Sequence, residues 1–361
     1  MRQIICISDA PWSTIPGRTQ QLMSRLENVQ VLFFEPSGGS WLGKRTGRKV
    51  RPGLVVYTLP PVLEVEERHT FLFRQGQRKL ARFIEEAMNR HRFRDPVLWC
   101  ATPRAVHLLD DLPCRGVVYD CARDWSHLPI RWESDMALAA DVVFSASQQL
   151  TYHLSPCTDN AALLPNGANY TLFSRTGRPA PPELRGISGP ILGYEGTIWP
   201  DLDLSPLLDA AWELPQCAVV LVGRRERNPL LARLSRLSNV HLIDAKAPVD
   251  LPAYVERFDV CLNLLREEND PYDVLPPRIF EYFATGKPVV SMLHPGQVEP
   301  YPDVIYTAHT PAEFTRLCAD ALNETGPWAR ERRQAYGQNS SWTERARQVS
   351  HILEAIGLFS S

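Results

Sequence analysis

Two carboxylates and an arginine near residue 280 have the types and spacing that most clearly predict chemistry. Asp273 and Glu281 are eight positions apart in the segment DPYDVLPPRIFEYFATGKPVVSM, residues 270–292. Two consecutive prolines can begin a helix but not lie inside one, which predicts a helix start near Pro277. Arg278 then lies in the first turn, where backbone N–H groups and the helix dipole favour an anion. Such a site suits a diphosphate, and the Glu281 carboxylate suits the hydroxyls of a ribose.

Other residues of the second half of the chain could complete this diphosphate site. Ile279, the residue after Arg278, is also assigned to it. Gly193 and Gly196 lie in and just after an apolar run that predicts a strand. Each glycine either permits a tight turn or lets the backbone approach a diphosphate, and the sequence leaves both interpretations open. Arg224 follows the next predicted strand, at the carboxyl edge where open parallel sheets bind ligands. It is a candidate second phosphate contact, with a surface ion pair as the alternative.

A second polar group follows the apolar run VVY in the first half of the chain. Asp120, Asp124 and His127 come directly after this predicted strand. A carboxylate or a histidine at that edge could orient or deprotonate a hydroxyl. The alternative for Asp120 is a helix cap or an ion pair with Arg123 or Arg131.

A metal site is not expected. Asp201 and Asp203 form a D-x-D pair, but they lie at a predicted helix start, where acids are common for electrostatic reasons. Eight cysteines are spread without a C-x-x-C pair, and the histidines lack ligand spacing, which favours a reducing compartment without zinc. The scattered tryptophans show no base-stacking pattern, so nucleic-acid binding is disfavoured.

The elements that must position these residues alternate between short apolar runs and helical patterns. This alternation predicts an α/β fold with parallel sheets wrapped by helices. At roughly 150 residues per domain, 361 residues predict two domains. A stretch rich in Pro and Gly interrupts the alternation and predicts a linker. The predicted divisions are an N-terminal domain at 1–165, a linker at 166–190, a second domain at 191–330 and a C-terminal helical segment at 331–361.

The order of these motifs resembles a known family. Asp-x7-Glu followed by F-x-x-G-K-P-V-V resembles the donor-binding signature of GT-B-fold glycosyltransferases, nearest to family four, although the first acid there is usually Glu. LLPNGANYTLF at 163–173 and LGYEGTIWPDLDL at 192–204 resemble the family's linker opening and second-domain start. GRTQQLMSRL at 17–26 and YDCARDWSHL at 119–128 resemble a bacterial subgroup that makes cell-surface polysaccharides, of the teichuronic-acid type.

The resemblance implies two Rossmann-like domains facing across a cleft, with the last helix returning to the first domain. It implies sugar transfer from a nucleotide-diphosphate sugar, UDP- or GDP-linked, to a hydroxyl of a polysaccharide or lipid-linked acceptor, with retention and without a metal or cofactor. Asp273, Glu281 and Arg278 would act on the donor, together with Asp124 and His127 as catalytic candidates. Gly17 and Arg18 stand where the family places a glycine loop, on the acceptor side with Asp120.

Two alternatives stay open at this point. One is a catalytically degenerate GT-B protein that binds a sugar nucleotide or supports another transferase, because Asp273 and the altered loop at Gly17 depart from the family pattern. The other is a different GT-B chemistry such as a sugar-nucleotide 2-epimerase. The Asp-x7-Glu segment is typical of transferases and disfavours the epimerase.

Charge predicts one further surface. The formal net charge of −2 does not indicate a general polyanion binder, yet residues 40–95 hold 13 Lys and Arg against six Asp and Glu. A cluster within this stretch is either a solvated loop or a surface for anionic lipid; its members are Lys44, Arg45, Arg48, Lys49 and Arg51. With no signal peptide or apolar run long enough to span a membrane, the sequence predicts a cytoplasmic protein that could be peripheral on the membrane.

Overall fold

The structure, a computed structural model, describes residues 2–13, 15–37, 46–62, 70–200, 202–264, 272–292 and 295–359. Lys44, Arg45 and Asp201 therefore lie outside the described residues. The chain divides into two compact units. Unit 1 comprises Met1–Pro165 with Arg345–Ser361, and unit 2 comprises Asn166–Glu344.

Unit 1 is built on an eight-stranded sheet with the strand order β3-β4-β2-β1-β5-β6-β7-β8. All neighbouring strands are parallel except β3, which runs antiparallel to β4. Its strands are β1 Arg2–Ile7, β2 Val29–Glu35, β3 Arg48–Arg51, β4 Leu54–Thr58, β5 Val97–Cys100, β6 Gly116–Cys121, β7 Val142–Ser145 and β8 Ala161–Leu163. Its helices are α1 Arg18–Arg25, α2 Thr70–His91, a 3-10 helix Pro103–Asp111, α3 Ile130–Ala139 and α4 Gln148–Leu154.

Unit 2 is built on a six-stranded parallel sheet with the order β11-β10-β9-β12-β13-β14. Its strands are β9 Ile191–Glu195, β10 Ala218–Val222, β11 Val240–Ile243, β12 Val260–Asn263, β13 Val289–Ser291 and β14 Ile305–Thr307. Its helices are α5 Tyr170–Phe173, a 3-10 helix Pro182–Leu184, α6 Ser205–Glu213, α7 Leu231–Leu234, α8 Leu251–Val255, α9 Pro277–Thr285, α10 Pro295–Val298, α11 Pro311–Leu322 and α12 Trp328–Asn339. The last helix, α13 Trp342–Ala355, begins in unit 2 and lies mostly in unit 1.

The central strands of both sheets are continuous apolar runs because helices cover both faces of a parallel sheet. Every residue of β5, β6, β10 and β12 is buried. Cys6, Cys100, Cys217 and Cys261, which lie in or beside such runs, are buried free cysteines. The predicted α/β fold class with parallel sheets is therefore confirmed.

Helix α9 is fixed at its C-terminal end by a buried arginine. Gly286 ends the helix with a φ of 77°, a left-handed conformation that glycine adopts without strain. Arg333 on α12 is fully buried, and its Nε donates to the Gly286 carbonyl at 3.1 Å while its guanidinium pairs with Glu324. Gly337, also on α12, allows close approach, since a Cβ there would lie 2.6 Å from the backbone nitrogen of Ala284.

Several elements differ from the sequence predictions. The spacing of apolar residues over 77–89 predicts a shorter helix than α2, and the pattern over 229–237 predicts a longer helix than α7. The basic cluster contains a strand, β3, at the edge of the sheet, where charged side chains discourage pairing with other chains. Arg51 at its end is used by the fold, since its Nη2 donates to the carbonyls of Met23 and Leu26 at the end of α1, both at 3.2 Å. Within the ranges that the structure describes, no helix is both long and apolar enough to cross a bilayer.

Candidate functional site

The strand order of unit 2 creates a crevice position at the carboxyl edge of its sheet. From β9 the chain builds outward through β10 and β11, whereas β12 lies on the other side of β9. Open parallel sheets bind ligands outside the carboxyl ends of the strands at such a switch point. Glu195 and Gly196 lie at the end of β9, and Gly223 follows β10.

Glycines let three backbone segments approach one another at this edge. Gly196 has a φ of 139°, and a Cβ there would lie 2.7 Å from Nη1 of Arg278. Gly223 has a φ of 157°, and its Cβ would lie 1.9 Å from the Gly196 carbonyl oxygen. Gly193, inside β9, faces the Phe258 ring at a distance that leaves no room for a side chain. Gly193 is therefore required for core packing, while Gly196 lets the backbone lie directly against the arginine.

Arg278 lies in the first turn of α9, as the two prolines predict. Its Nη1 donates to the Glu195 carbonyl at 3.1 Å, and its guanidinium lies 4.9 Å from the centre of the Tyr194 ring. Burial alone would lower the pKa of Arg278, but Tyr194 and Glu195 outweigh it and raise the pKa above its ordinary value. The result is a permanently charged, partly buried fork held in one orientation.

Glu281, one turn further along α9, makes a hydrogen bond to the side chain of Glu195. Burial raises the pKa of Glu281 well above its usual range, and the neighbouring Glu195 carboxyl raises it further. Burial also raises the pKa of Glu195, whereas Arg278 opposes that change. Two carboxyls at hydrogen-bond distance cannot both ionise cheaply, so the pair holds one proton and one negative charge beside the arginine.

The backbone around this pair is fixed from two sides. The hydroxyl of Tyr282, a buried α9 residue, accepts the backbone N–H of Glu195 at 3.0 Å. Gly196 donates its N–H to the Val222 carbonyl at 3.0 Å, which ties the loop after β9 to β10. The carboxyl edge of the sheet and the start of α9 are therefore one connected polar cluster.

The remaining predicted residues of this site are Asp273, Ile279 and Arg224. Asp273 lies in the loop before α9 with a φ of 56°, a left-handed conformation uncommon for aspartate. Ile279 is fully buried in the core, so its side chain is unavailable to a ligand. The Arg224 side chain is 70% exposed and pairs with Glu226 at 2.6 Å, which corresponds to the surface ion pair considered as its alternative.

In unit 1, Arg18 and Asp120 meet at the carboxyl edge of the sheet. The Nε and Nη2 atoms of Arg18 both lie 2.9 Å from Oδ1 of Asp120, and both side chains are buried. Burial raises the pKa of Asp120, while Arg18 counteracts it. Asp120 pairs with Arg18, whereas the sequence suggested Arg123 or Arg131. Gly17, the N-terminal cap of α1, lines a small cavity of about 80 Å³ with both of them.

Asp124 and His127 lie in the turn after β6. Asp124 accepts hydrogen bonds from the backbone and the hydroxyl of Ser126, at 2.8 and 2.6 Å, so it stabilises the turn. His127 is exposed, with its ring 5.7 Å from that of Trp125. His127 is therefore accessible, whereas the carboxylate of Asp124 is used to stabilise the turn.

Sequence reasoning missed Glu195 as a member of the site. The available signal was its position, because an acidic residue that ends an apolar strand just before a glycine lies at the carboxyl edge of the sheet. Its pairing with Glu281 depends on the packing of α9 against β9, which spacing alone does not give.

No group of three or more His, Cys, Asp or Glu side chains placed to bind a metal occurs among the described residues. Asp203, the described member of the D-x-D pair, accepts the backbone N–H of Ser205 at 2.8 Å. It therefore acts at the start of α6, where acids are favoured.

Comparisons with known proteins place this site in context. Residues 205–351 match the family model described as "Glycosyl transferase-like". The chain is 27% identical over 263 residues to the putative teichuronic acid biosynthesis glycosyltransferase TuaH of Bacillus subtilis (strain 168), a match that spans 64% of this chain and 65% of that protein.

Two solved structures show the same fold. Sucrose-phosphate synthase from Thermosynechococcus elongatus matches with a TM-score of 0.71 and 16% identity over 100% of both chains. Anabaena Alr3699/HepE in complex with UDP-glucose matches with a TM-score of 0.63 and 14% identity over 98% of this chain and 100% of that one.

The fold is therefore that of the GT-B glycosyltransferases, and residues 205–351 are similar to the glycosyltransferase-like family model. Within that class it is similar to the teichuronic-acid type, as the sequence motifs predicted.

Proposed function

We propose that the chain transfers a sugar from a nucleotide-diphosphate sugar to a hydroxyl of a saccharide or lipid-linked acceptor in polysaccharide assembly. The cluster of Arg278, Glu195 and Glu281 at the carboxyl edge of unit 2 is the observation that supports it. An arginine in the first turn of a helix suits a diphosphate, and a carboxyl one turn on suits ribose hydroxyls. UDP is the preferred nucleotide, since a structure of the same fold was solved with UDP-glucose.

In the proposed reaction, the bond between the anomeric carbon and the diphosphate oxygen breaks, and a bond from that carbon to the acceptor oxygen forms. Negative charge develops on the departing diphosphate. The fixed Arg278 guanidinium and the dipole of α9 stabilise this charge without reorganising. The acceptor hydroxyl loses its proton to a base, for which the exposed His127 of unit 1 is the candidate.

The reaction as proposed uses no metal or cofactor, because Arg278 and the helix supply the positive charge. Retention of configuration is proposed from the resemblance to family four. Its test is the anomeric configuration of the product, read by NMR against a donor of known configuration.

Donor binding is tested by a thermal-shift screen against UDP-, GDP- and dTDP-sugars, since a ligand stabilises the fold that it binds. We expect a shift with one nucleotide class that is lost in Arg278→Gln and Glu281→Ala. Arg236→Gln, an exposed arginine of the same unit, is the matched control and should keep the shift.

Turnover assays separate the two functional alternatives. Glu281→Ala is expected to lower donor turnover by about a hundredfold, in the range of a lost hydrogen bond to a reacting ligand. Full turnover by this variant would refute the site assignment. Binding of a sugar nucleotide by the native chain without transfer to any acceptor would instead indicate a degenerate transferase.

We also propose that the enzyme works in the cytoplasm at the inner face of the membrane, through the basic cluster. Arg48 and Lys49 are exposed on β3, whereas Arg51 is engaged by α1. Co-sedimentation with vesicles containing phosphatidylglycerol should fall on substitution of Arg48 and Lys49 by Gln. Unchanged sedimentation would show that the cluster is only a charged sheet edge.

A further inference from the structure

A large cavity of about 690 Å³ lies in unit 1 at the carboxyl edge of its sheet. It is lined by residues that follow β1, β2, β4, β5 and β6, such as Asp9, Pro36, Pro60, Thr102 and Arg123. The strand order reverses between β1 and β5, so the cavity occupies the position where open parallel sheets bind ligands. It is several times larger than the cavity beside Gly17 and can hold a sugar ring with its substituents.

Aromatic rings form one wall of this cavity. Phe73 and Trp132 each lie against His107, with centroids 4.8 Å apart and rings nearly perpendicular. Trp125 and His127 form a second pair, also on the cavity. Flat apolar faces of this kind pack against the C–H face of a sugar ring, while polar groups at the edge fix its orientation.

Trp125 offers a hydrogen bond that no described residue accepts. Its side chain lines the cavity and the residue is only 7% exposed, yet its buried Nε1 has no partner within the described part of the chain. A buried indole N–H normally has an acceptor, because leaving it without one costs free energy. A ligand oxygen in the cavity would supply that acceptor.

Two arginines give the cavity a positive charge. Arg104 is exposed, lies 5.8 Å from the Trp132 ring centre and has no ion pair among the described residues. Arg123 lies 5.3 Å from the Trp125 ring centre and pairs with Asp9 at 2.6 Å, with more than half of its side chain exposed. One acid against two arginines leaves a net positive charge, and the arginine fork matches a carboxylate or phosphate group.

We propose that this cavity binds an anionic saccharide, a sugar bearing a carboxylate or phosphate, as the acceptor. Trp125 donates to a ring or hydroxyl oxygen, the aromatic wall packs against the sugar, and Arg104 binds the anionic group. This inference rests on the proposed function, since it names the acceptor class of that transferase.

The test uses three probes that differ in charge: methyl glucuronide, glucose 6-phosphate and neutral methyl glucoside. Saturation-transfer NMR on the full chain should show binding of at least one anionic probe and weaker binding of the neutral one. Comparing the two anionic probes distinguishes a carboxylate from a phosphate. Arg104→Gln should weaken anionic binding about tenfold, the loss expected for a charged hydrogen bond, and should leave the neutral probe unchanged.

Trp125→Phe keeps the ring and removes the N–H, so it should weaken all three probes to a similar degree. Arg94→Gln, an exposed arginine before β5 that does not line the cavity, is the matched control and should change nothing. Melting temperatures of all variants check that the unit stays folded. Equal binding of the neutral and anionic probes, no binding of any probe, or insensitivity to Arg104→Gln would each overturn the proposal.

A measurement of donor binding distinguishes failure of the acceptor proposal from failure of the proposed function. If a nucleotide sugar still shifts the melting temperature through Arg278 while the acceptor probes fail, only the acceptor class is wrong. If no nucleotide sugar binds, the proposed transferase itself fails, whatever the saccharides do.

Discussion

The carboxyl edges of the two sheets occupy equivalent topological positions but are built in opposite ways. In unit 2, glycines bring backbone segments together, and two carboxyl side chains that share one proton, Glu195 and Glu281, lie beside one arginine. In unit 1, opposite charges pair as Arg18 with Asp120 and Arg123 with Asp9, and aromatic rings line the remaining space. The first arrangement holds one arginine and one carboxyl pair at a fixed point, whereas the second leaves a large cavity whose positive charge Asp9 neutralises only in part.

This difference suits the two proposed ligands, a nucleotide diphosphate in unit 2 and a saccharide in unit 1. A diphosphate needs a fixed cation at close backbone range, which glycine permits and side chains would block. A saccharide needs area and several orienting polar groups. The stability of unit 1 should therefore depend most on its buried ion pair, and the stability of unit 2 on its glycines.

The largest effect is expected from breaking the buried ion pair of unit 1. Asp120→Ala leaves the Arg18 guanidinium buried without its carboxylate, which should cost about 3–5 kcal/mol of unfolding free energy. Urea-dependent hydrogen exchange of β6 measures this loss in unit 1. The double variant Arg18→Met with Asp120→Ala should recover part of it, and the absence of any recovery would argue against the pair as the cause.

The next largest effect is the difference in unfolding free energy between glycine substitutions in the two units. Gly223→Ala places a Cβ within 1.9 Å of the Gly196 carbonyl at a φ of 157°, and should destabilise unit 2 by about 3 kcal/mol. Gly17→Ala has no atom within 4 Å of the new Cβ and a φ of −76°, so it should cost less than about 1 kcal/mol. Chemical denaturation of both variants checks the contrast, which equal losses would contradict.

The smallest expected effect concerns the proton shared by Glu195 and Glu281. Because the pKa of Glu281 is raised in the folded state, its contribution to stability is present below its unfolded pKa and is lost as pH rises through the raised value. Each tenfold difference in proton affinity between the folded and unfolded states corresponds to about 1.4 kcal/mol.

Unit 2 should therefore lose stability as pH increases above about 5, and Glu195→Gln, which removes one carboxylate, should flatten this decline. Melting curves recorded from about pH 5 upward measure this loss of stability. Nucleotide-sugar affinity should follow the same direction, because the fully ionised pair repels a diphosphate. A decline of equal slope in Glu195→Gln would exclude the pair as its source.

Much of the fold could be predicted from local pattern. The apolar run at residues 54–58 predicts a strand with the bounds of β4. Helix α9 begins at Pro277 and ends before Gly286, because prolines and a left-handed glycine mark helix ends. The predicted helical segment at 331–361 does not mark α12 as a separate helix, because the polar sequence around the buried Arg333 lacks a clear apolar stripe. The stability of α12 depends on packing against α9, which local pattern does not contain.

The candidate site could likewise be predicted only where local pattern determines it. Arg278 and Glu281 follow from helix position, whereas the partners of Asp120 and Glu281 depend on contacts far apart in sequence, 102 and 86 residues away. Trp125 and Arg104 were not identified because single aromatic and basic residues are common on surfaces. Their meaning depends on the cavity that they share.

The buried Arg333 has a consequence for how the molecule would respond to the proposed donor. It ties α12, far along the chain, to the end of the same helix whose first turn holds Arg278. A ligand that stabilises α9 should therefore also slow the exchange of the backbone amide hydrogens of residues 328–339, which pack near the other end of that helix. Slowed deuterium uptake in α12 would report occupancy of the nucleotide site from the opposite end of the sheet.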